Sequence, residues 1–202
     1  MKTTRKNSGK RICRAAAIAA FAATCMASSS VMAEIIDSGV INLNLPATFD
    51  GLYINLTTGA TGITGSSTPG YDLDPYLANA TGFSIFWCQT NCGGVAEATT
   101  GPLIVLAPGA VIGPSQTFSS AVSGAAPFRA GITGYVGVKF LNEETGSINF
   151  GYVLLSTSVP LGYPATLVRY AYDNTGAPIT IPVPSPEIFG DGFEEPVIMI
   201  VR

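Results

Sequence analysis

The sequence predicts an all-β protein, an antiparallel β-sandwich or jelly roll, and three observations carry that reading. Apolar residues recur at every second position in several short runs, which suits half-buried strands and not helices. The runs are rich in β-branched and aromatic residues. Between them lie turn-forming clusters, supplied by 23 glycines and 14 prolines in 202 residues, at a spacing typical of sandwiches.

In chain order, the first element is a leader. Lys2, Arg5, Lys6, Lys10, Arg11 and Arg14 precede the apolar run AAAIAAFAATCMA and the small-residue stretch SSSVMA. A basic head, a short apolar core and Val31-Met32-Ala33 form a secretory signal peptide over 1–33, cleaved after Ala33. The apolar run is too short to span a bilayer, which takes roughly 20 residues. Removing 33 of the 202 residues leaves 169, one domain's worth, with four basic and thirteen acidic side chains and a formal charge of −9. Arg129, Lys139, Arg169 and Arg202 are scattered, so no basic stripe exists to release counterions from nucleic acid. Anionic membranes are equally poor partners.

The β-sandwich domain is expected over 34–183. In VINLNL, Ile41, Leu43 and Leu45 should face the core, opposite Asn42 and Asn44. In GLYINLT, Leu52, Ile54 and Leu56 oppose Tyr53 and Asn55. The small, polar 57–70 stretch reads as a long surface loop. GFSIFWC, PLIVLA and PATLVRYAY are further strand candidates, and GYVGVKFL places Val136, Val138 and Phe140 inward. Asn142 to Gly146, NEETG, joins that strand to SINFGYVLLST as an antiparallel hairpin, with Glu143 and Glu144 solvated at its tip. DNTG, Asp173 to Gly176, is a second turn. Prolines become too dense for a central strand from Pro182, so 184–202 is expected to be a proline-led acidic tail.

Cysteine and histidine usage narrows the chemistry. Cys13 and Cys25 belong to the leader, leaving Cys88 and Cys92 in WCQTNCGG. In an exported protein this pair reads as a disulfide closing a tiny loop. A zinc site would need further Cys or His ligands, and the chain has no His. The same absence excludes Ser-His-Asp and Cys-His catalysis. GSSTPG and GGVAEA lack the lysine and the strand-loop-helix setting of a phosphate loop.

Carboxylates and aromatics remain. Asp72 and Asp74 in GYDLDPY would face one way on an extended chain, close enough to share a Ca²⁺. The plain reading of a solvated loop, with Asp74 starting a turn before Pro75, ranks above that cation site. A glycosidase with Asp72, Asp74 or Glu97 as proton donor ranks below it. Tyr71, Tyr76 and Trp87 form a candidate platform for stacking on a sugar ring. Against Trp87 stands its alternation with Phe83 and Ile85, which points to the core.

Ile148 to Pro182 resembles a recurring C-terminal segment of uncharacterised secreted bacterial β-sandwich proteins, many of which carry PEP-CTERM sorting tails. The matching positions are Phe150-Gly151-Tyr152, Ala165-Thr166-Leu167, Ala171-Tyr172-Asp173, Gly176 and Ile179, and NLPATFDGLYINLTTGATG is similar to that group's first strands. The resemblance implies export and an all-β fold, and the group has no established activity to carry over to this chain. Phe150 replaces the usual Tyr, and the His that often precedes it is missing. A PEP-CTERM anchor is excluded, because VIMIVR is far shorter than roughly 30 Å of bilayer core. FGDGFE resembles the short F-x-D-G-F-E tail of other exported proteins of Gram-negative bacteria. Together these readings predict an exported, non-enzymatic structural or interaction protein of the cell surface or extracellular space, with the periplasm as the other destination. A carbohydrate-binding module assisted by Ca²⁺ is the alternative. Glycans or other surface proteins are the expected partners, and no cofactor is required.

Overall fold

The computed structural model describes residues 34–88, 90–120 and 123–184. The leader and the F-x-D-G-F-E tail lie outside the described residues. In chain order the strands are β1 (Ile35–Asp37), β2 (Leu43–Leu45), β3 (Tyr53–Ile54), β4 (Thr61–Gly62), β5 (Leu73–Leu77), β6 (Phe83–Trp87), β7 (Gly93–Val95), β8 (Val111–Ile112), β9 (Phe118–Ser119), β10 (Ser123–Gly124), β11 (Thr133–Asn142), β12 (Ser147–Thr157), β13 (Ala165–Asp173) and β14 (Ile179–Thr180). A seven-stranded sheet runs β1-β13-β12-β11-β7-β9, with β2 also on β13. A five-stranded sheet runs β10-β6-β5-β3-β4, and β14 pairs with β8 as a small ribbon.

The hairpin of β11 and β12 is the spine. Its register runs from Thr133↔Ser156 to Asn142↔Ser147, so the connection is Glu143–Gly146, one residue shorter than NEETG. Asn142 ends the strand instead, and its Oδ1 accepts from the amides of Glu144 (3.0 Å) and Thr145 (3.2 Å). Gly146 completes the turn at φ 69°, a left-handed conformation that costs a glycine little. At the DNTG turn, Asp173 Oδ1 accepts from the amides of Thr175 (2.8 Å) and Ala177 (3.1 Å).

Period-two alternation builds the main core. Val136, Val138, Phe140, Val153, Leu155 and Leu167 of the larger sheet meet Ile54, Leu73, Phe83, Ile85 and Trp87 of the smaller one. This is a β-sandwich, closed by inward faces from both sheets. The larger sheet is not wet on its other side. Val95, Ile112, Phe150, Tyr152, Ala171, Ile179 and Ile181 form a second apolar cluster, in which residues of the β14-β8 ribbon pack against β12 and β13.

Several expectations fail for identifiable reasons. Ile41 is 42% exposed because Asn42 adopts φ 49°, which breaks the alternation before β2 begins. The amides of Ile41 and Asn42 both donate to Val168 O, at 2.9 and 3.2 Å. Val168 is itself skipped in the β12–β13 register, where Leu154 faces Arg169 but Leu155 faces Leu167. That bulge reverses the parity of β13, so Leu167 and the even-numbered Tyr170 and Tyr172 all reach the main core. PLIVLA is not a strand. It contributes only the isolated bridges Ala96↔Leu103 and Leu106↔Tyr135, and sends Leu103 and Val105 to one cluster and Ile104 and Leu106 to the other. The 57–70 stretch is partly structured: β4 pairs with β3, and a 3-10 turn at Gly65–Ser67 is capped by Thr64. Asn55 faces no solvent. It is buried, donates to Pro69 O (3.2 Å) and Gly70 O (2.8 Å) and accepts from the Thr58 amide (2.8 Å).

Candidate functional site

The outer face of the five-stranded sheet concentrates aromatic side chains around one carboxylate. Leu73 of β5 pairs with Ile54 of β3 and points into the core, so the next residue, Asp74, points outward with Tyr53 on one flank. On the other flank Asp74 pairs directly with Phe86 of β6. Tyr76, two residues along β5, shares that face. Phe49, in the segment before β3, meets Tyr76 edge-on, with centroids 5.8 Å apart and planes at 83°. Tyr53 and Tyr71 meet in the same manner, at 4.7 Å and 86°, while Tyr71 and Phe86 lie nearly parallel at 6.4 Å. Phe49, Tyr53, Asp74, Tyr76 and Phe86 line a hollow of about 320 Å³.

Asp74 is no solvated loop residue. It is 3% exposed, and its Oδ1 has no hydrogen-bond partner. Gly51 closes over it at φ 60°, so that a Cβ there would come within 2.2 Å of Asp74 Oδ1 and 2.6 Å of Pro75 O. Burial pushes the Asp74 carboxyl up to about 7. Asp50 adds to the rise, and the Leu52 amide, which donates to Pro75 O at 3.2 Å, opposes it. Burial and then the Asp74 charge raise the hydroxyls of Tyr53, Tyr71 and Tyr76. Arg129 acts on Tyr76 in the opposite sense, but its guanidinium is engaged with β6, donating to Phe83 O (3.0 Å) and Ser84 Oγ (3.1 Å).

Asp72 has a different place. It is 2% exposed, and its Oδ2 accepts from the Leu56 amide at 2.7 Å. It borders a second hollow with Gly70, Tyr71, Cys88, Thr90, Cys92, Leu141 and Glu143. Burial lifts its carboxyl to about 8, against the pull of the Leu56 amide and with a further push from Glu143. Glu143 thus does more than solvate a hairpin tip. The two aspartates open onto separate hollows, and among the described residues no group of three or more His, Cys, Asp or Glu side chains is placed to hold a metal ion. The solvated-loop reading fails for both residues. Glu97 lies beyond β7, away from either aspartate's hollow.

Cys88 and Cys92 are joined as a disulfide with Cα atoms 5.4 Å apart. Cys92 Sγ lies 3.8 Å from Asp72 Oδ1, and since a disulfide sulfur carries no proton this is a contact, not a hydrogen bond. The bridge therefore forms part of the wall of the second hollow.

Comparison with protein families, with curated proteins and with solved structures returned no match. Of the three candidate platform rings, Tyr71 and Tyr76 stand on the outer face. Trp87 does not: it is 2% exposed within the main core, where its ring packs against the backbone of Gly94, a residue with no room for a Cβ there. Phe49, Tyr53 and Phe86 were missed by sequence reasoning. A signal for Tyr53 and Phe86 existed in their parity. Both occupy outward positions of strands whose inward positions are already apolar, where polar residues would be usual.

Proposed function

We propose that this chain is an exported, non-enzymatic interaction module that binds a ligand in the hollow on the outer face of its five-stranded sheet. The observation that carries the reading is an aromatic-lined concavity around a buried carboxylate with an unpartnered oxygen. Concave, largely apolar sites with one or two oriented polar groups are the usual form of ligand pockets. Export rests on the basic head and apolar core of the leader, and the Cys88–Cys92 disulfide suits an oxidising compartment. The cell surface or extracellular space is the proposed destination.

A carbohydrate-binding module is the second reading. Its support is the presence of Tyr71 and Tyr76 on the same outer face. Binding to a glycan array and a small-molecule panel, with and without Ca²⁺, tests both. We expect at least one ligand whose binding falls in Tyr76→Ala while the melting temperature holds. A glycan hit that requires Ca²⁺ would favour the second reading. A complete lack of binding would defeat the module proposal.

A further inference from the structure

The arrangement of the rings narrows the ligand. Platforms that stack on sugars need flat, exposed rings lying in a common plane, plus several polar groups to read hydroxyls. Here Phe49 and Tyr76 stand at 83°, and Tyr53 is steeply inclined to Phe86 as well, since Tyr71 beside the hollow meets Tyr53 at 86° and lies within 22° of Phe86, so the lining rings share no common plane and present no shelf. The single charged residue in the lining is Asp74, and the only other polar side chains there are those of Tyr53 and Tyr76. Aromatic faces carry negative quadrupole potential, and rings set at right angles around a space attract a cation too large and too weakly hydrated to need hydrogen bonds. A carboxylate at the base of such a cage supplies the matching charge.

We propose that the Phe49–Tyr53–Asp74–Tyr76–Phe86 hollow is an aromatic cage for a methylated ammonium group, as carried by choline-like small molecules. This rests on the reading of the chain as a binding module and specifies its ligand chemistry. The buried Asp74 carboxyl supports it independently of the rings, because it lines the hollow, a carboxylate so buried is costly to ionise, and a bound cation offsets that cost. The nearby charges favour the same sign: Asp50 acts on Asp74, and the one basic side chain acting on these rings, Arg129, is held by β6. The volume of about 320 Å³ accommodates a trimethylammonium head with its attached chain. Cation binding favours ionised Asp74, so affinity rises with pH through about 7.

Calorimetric titration of the folded domain with choline, and with its neutral tert-butyl carbon analogue, tests the proposal. Saturable choline binding, a Kd on the order of millimolar and clearly weaker binding of the analogue are expected. Phe49→Ala, at a position 65% exposed and so safe for folding, should weaken choline roughly 2- to 30-fold. Asp74→Asn should remove the pH dependence and the preference for the charged ligand. Equal binding of the two ligands would overturn the cation assignment. No choline binding, with a glycan bound instead at a Tyr76-dependent site, would overturn it while leaving the module reading intact. Phosphatidylcholine vesicles that capture the protein and release it to free choline would place the same group on a lipid; no capture would place it on a soluble molecule.

Discussion

Replacing Asp72 by Asn should make the domain more stable at alkaline pH, although it removes a buried side chain that makes a good hydrogen bond. The carboxyl lies 2% exposed among apolar residues and titrates at about 8, against 3.8 for an unperturbed group. A group whose folded value lies above its unfolded value holds its proton more tightly in the folded state. Its contribution is therefore complete below pH 3.8 and is lost as pH rises to about 8. At about 1.4 kcal/mol per pH unit, the loss is on the order of 5 kcal/mol, comparable with the whole stability of many domains at roughly 5–15 kcal/mol. Asparagine keeps an oxygen for the Leu56 amide, which now donates at 2.7 Å, and cannot ionise. The assay is urea unfolding of both proteins from about pH 4 to about pH 9, followed by the fluorescence of Trp87, the single tryptophan. Asp74 falls in the same pH window, so the quantity to read is the difference between variant and wild type. That difference should grow in favour of the Asp72→Asn variant as pH rises to about 8 and level off above it. A difference independent of pH would show that the Asp72 carboxyl is not raised by burial.

Three further outcomes can be checked in the same format. Trp87→Ala should destabilise the fold by roughly 3–5 kcal/mol, and the conservative Trp87→Phe should leave any ligand affinity of the outer hollow unchanged, because the indole packs on the opposite side of the sheet. Reducing the Cys88–Cys92 bridge should lower stability by about 2 kcal/mol, the chain-entropy value for so small a loop, measured by chemical denaturation with and without reductant. Ending the chain after Pro184 should leave the melting temperature unchanged in calorimetry, since Ile181 is fully buried while Val183 is 67% exposed.

The long hairpin was legible because every residue on one face of GYVGVKFL agreed with its neighbours and NEETG offered only one kind of turn. Trp87 was legible for the same reason, through its parity with Phe83 and Ile85. Ile41 and β13 were not. A single left-handed residue at Asn42 and a single skipped residue at Val168 shift parity locally, and no composition rule marks either position. PLIVLA has the composition of a strand yet lies between two apolar clusters, using alternate side chains to fill each, so packing outweighed ladder formation. The aspartates misled in another way. Local sequence shows Asp-x-Asp-Pro as a turn, whereas burial of both carboxylates follows from segments far along the chain: Gly51 over Asp74, and Leu56 and Cys92 beside Asp72. The cage shares that dependence, since its walls come from three separate stretches of chain.

The placement of β1 and β2 on β13 sets a condition on how the protein is made. Ile35 pairs with Asp173, and Leu45 with Ala165, so two of the earliest strands to emerge during synthesis find their partner only when β13 has followed. Long-range pairings of this kind are slow to close, and unpaired strands invite association with other chains meanwhile. Its N-terminal strands have no ladder to join until the C-terminal meander of β11, β12 and β13 arrives, so for this sheet the order of synthesis and the order of assembly run in opposite directions.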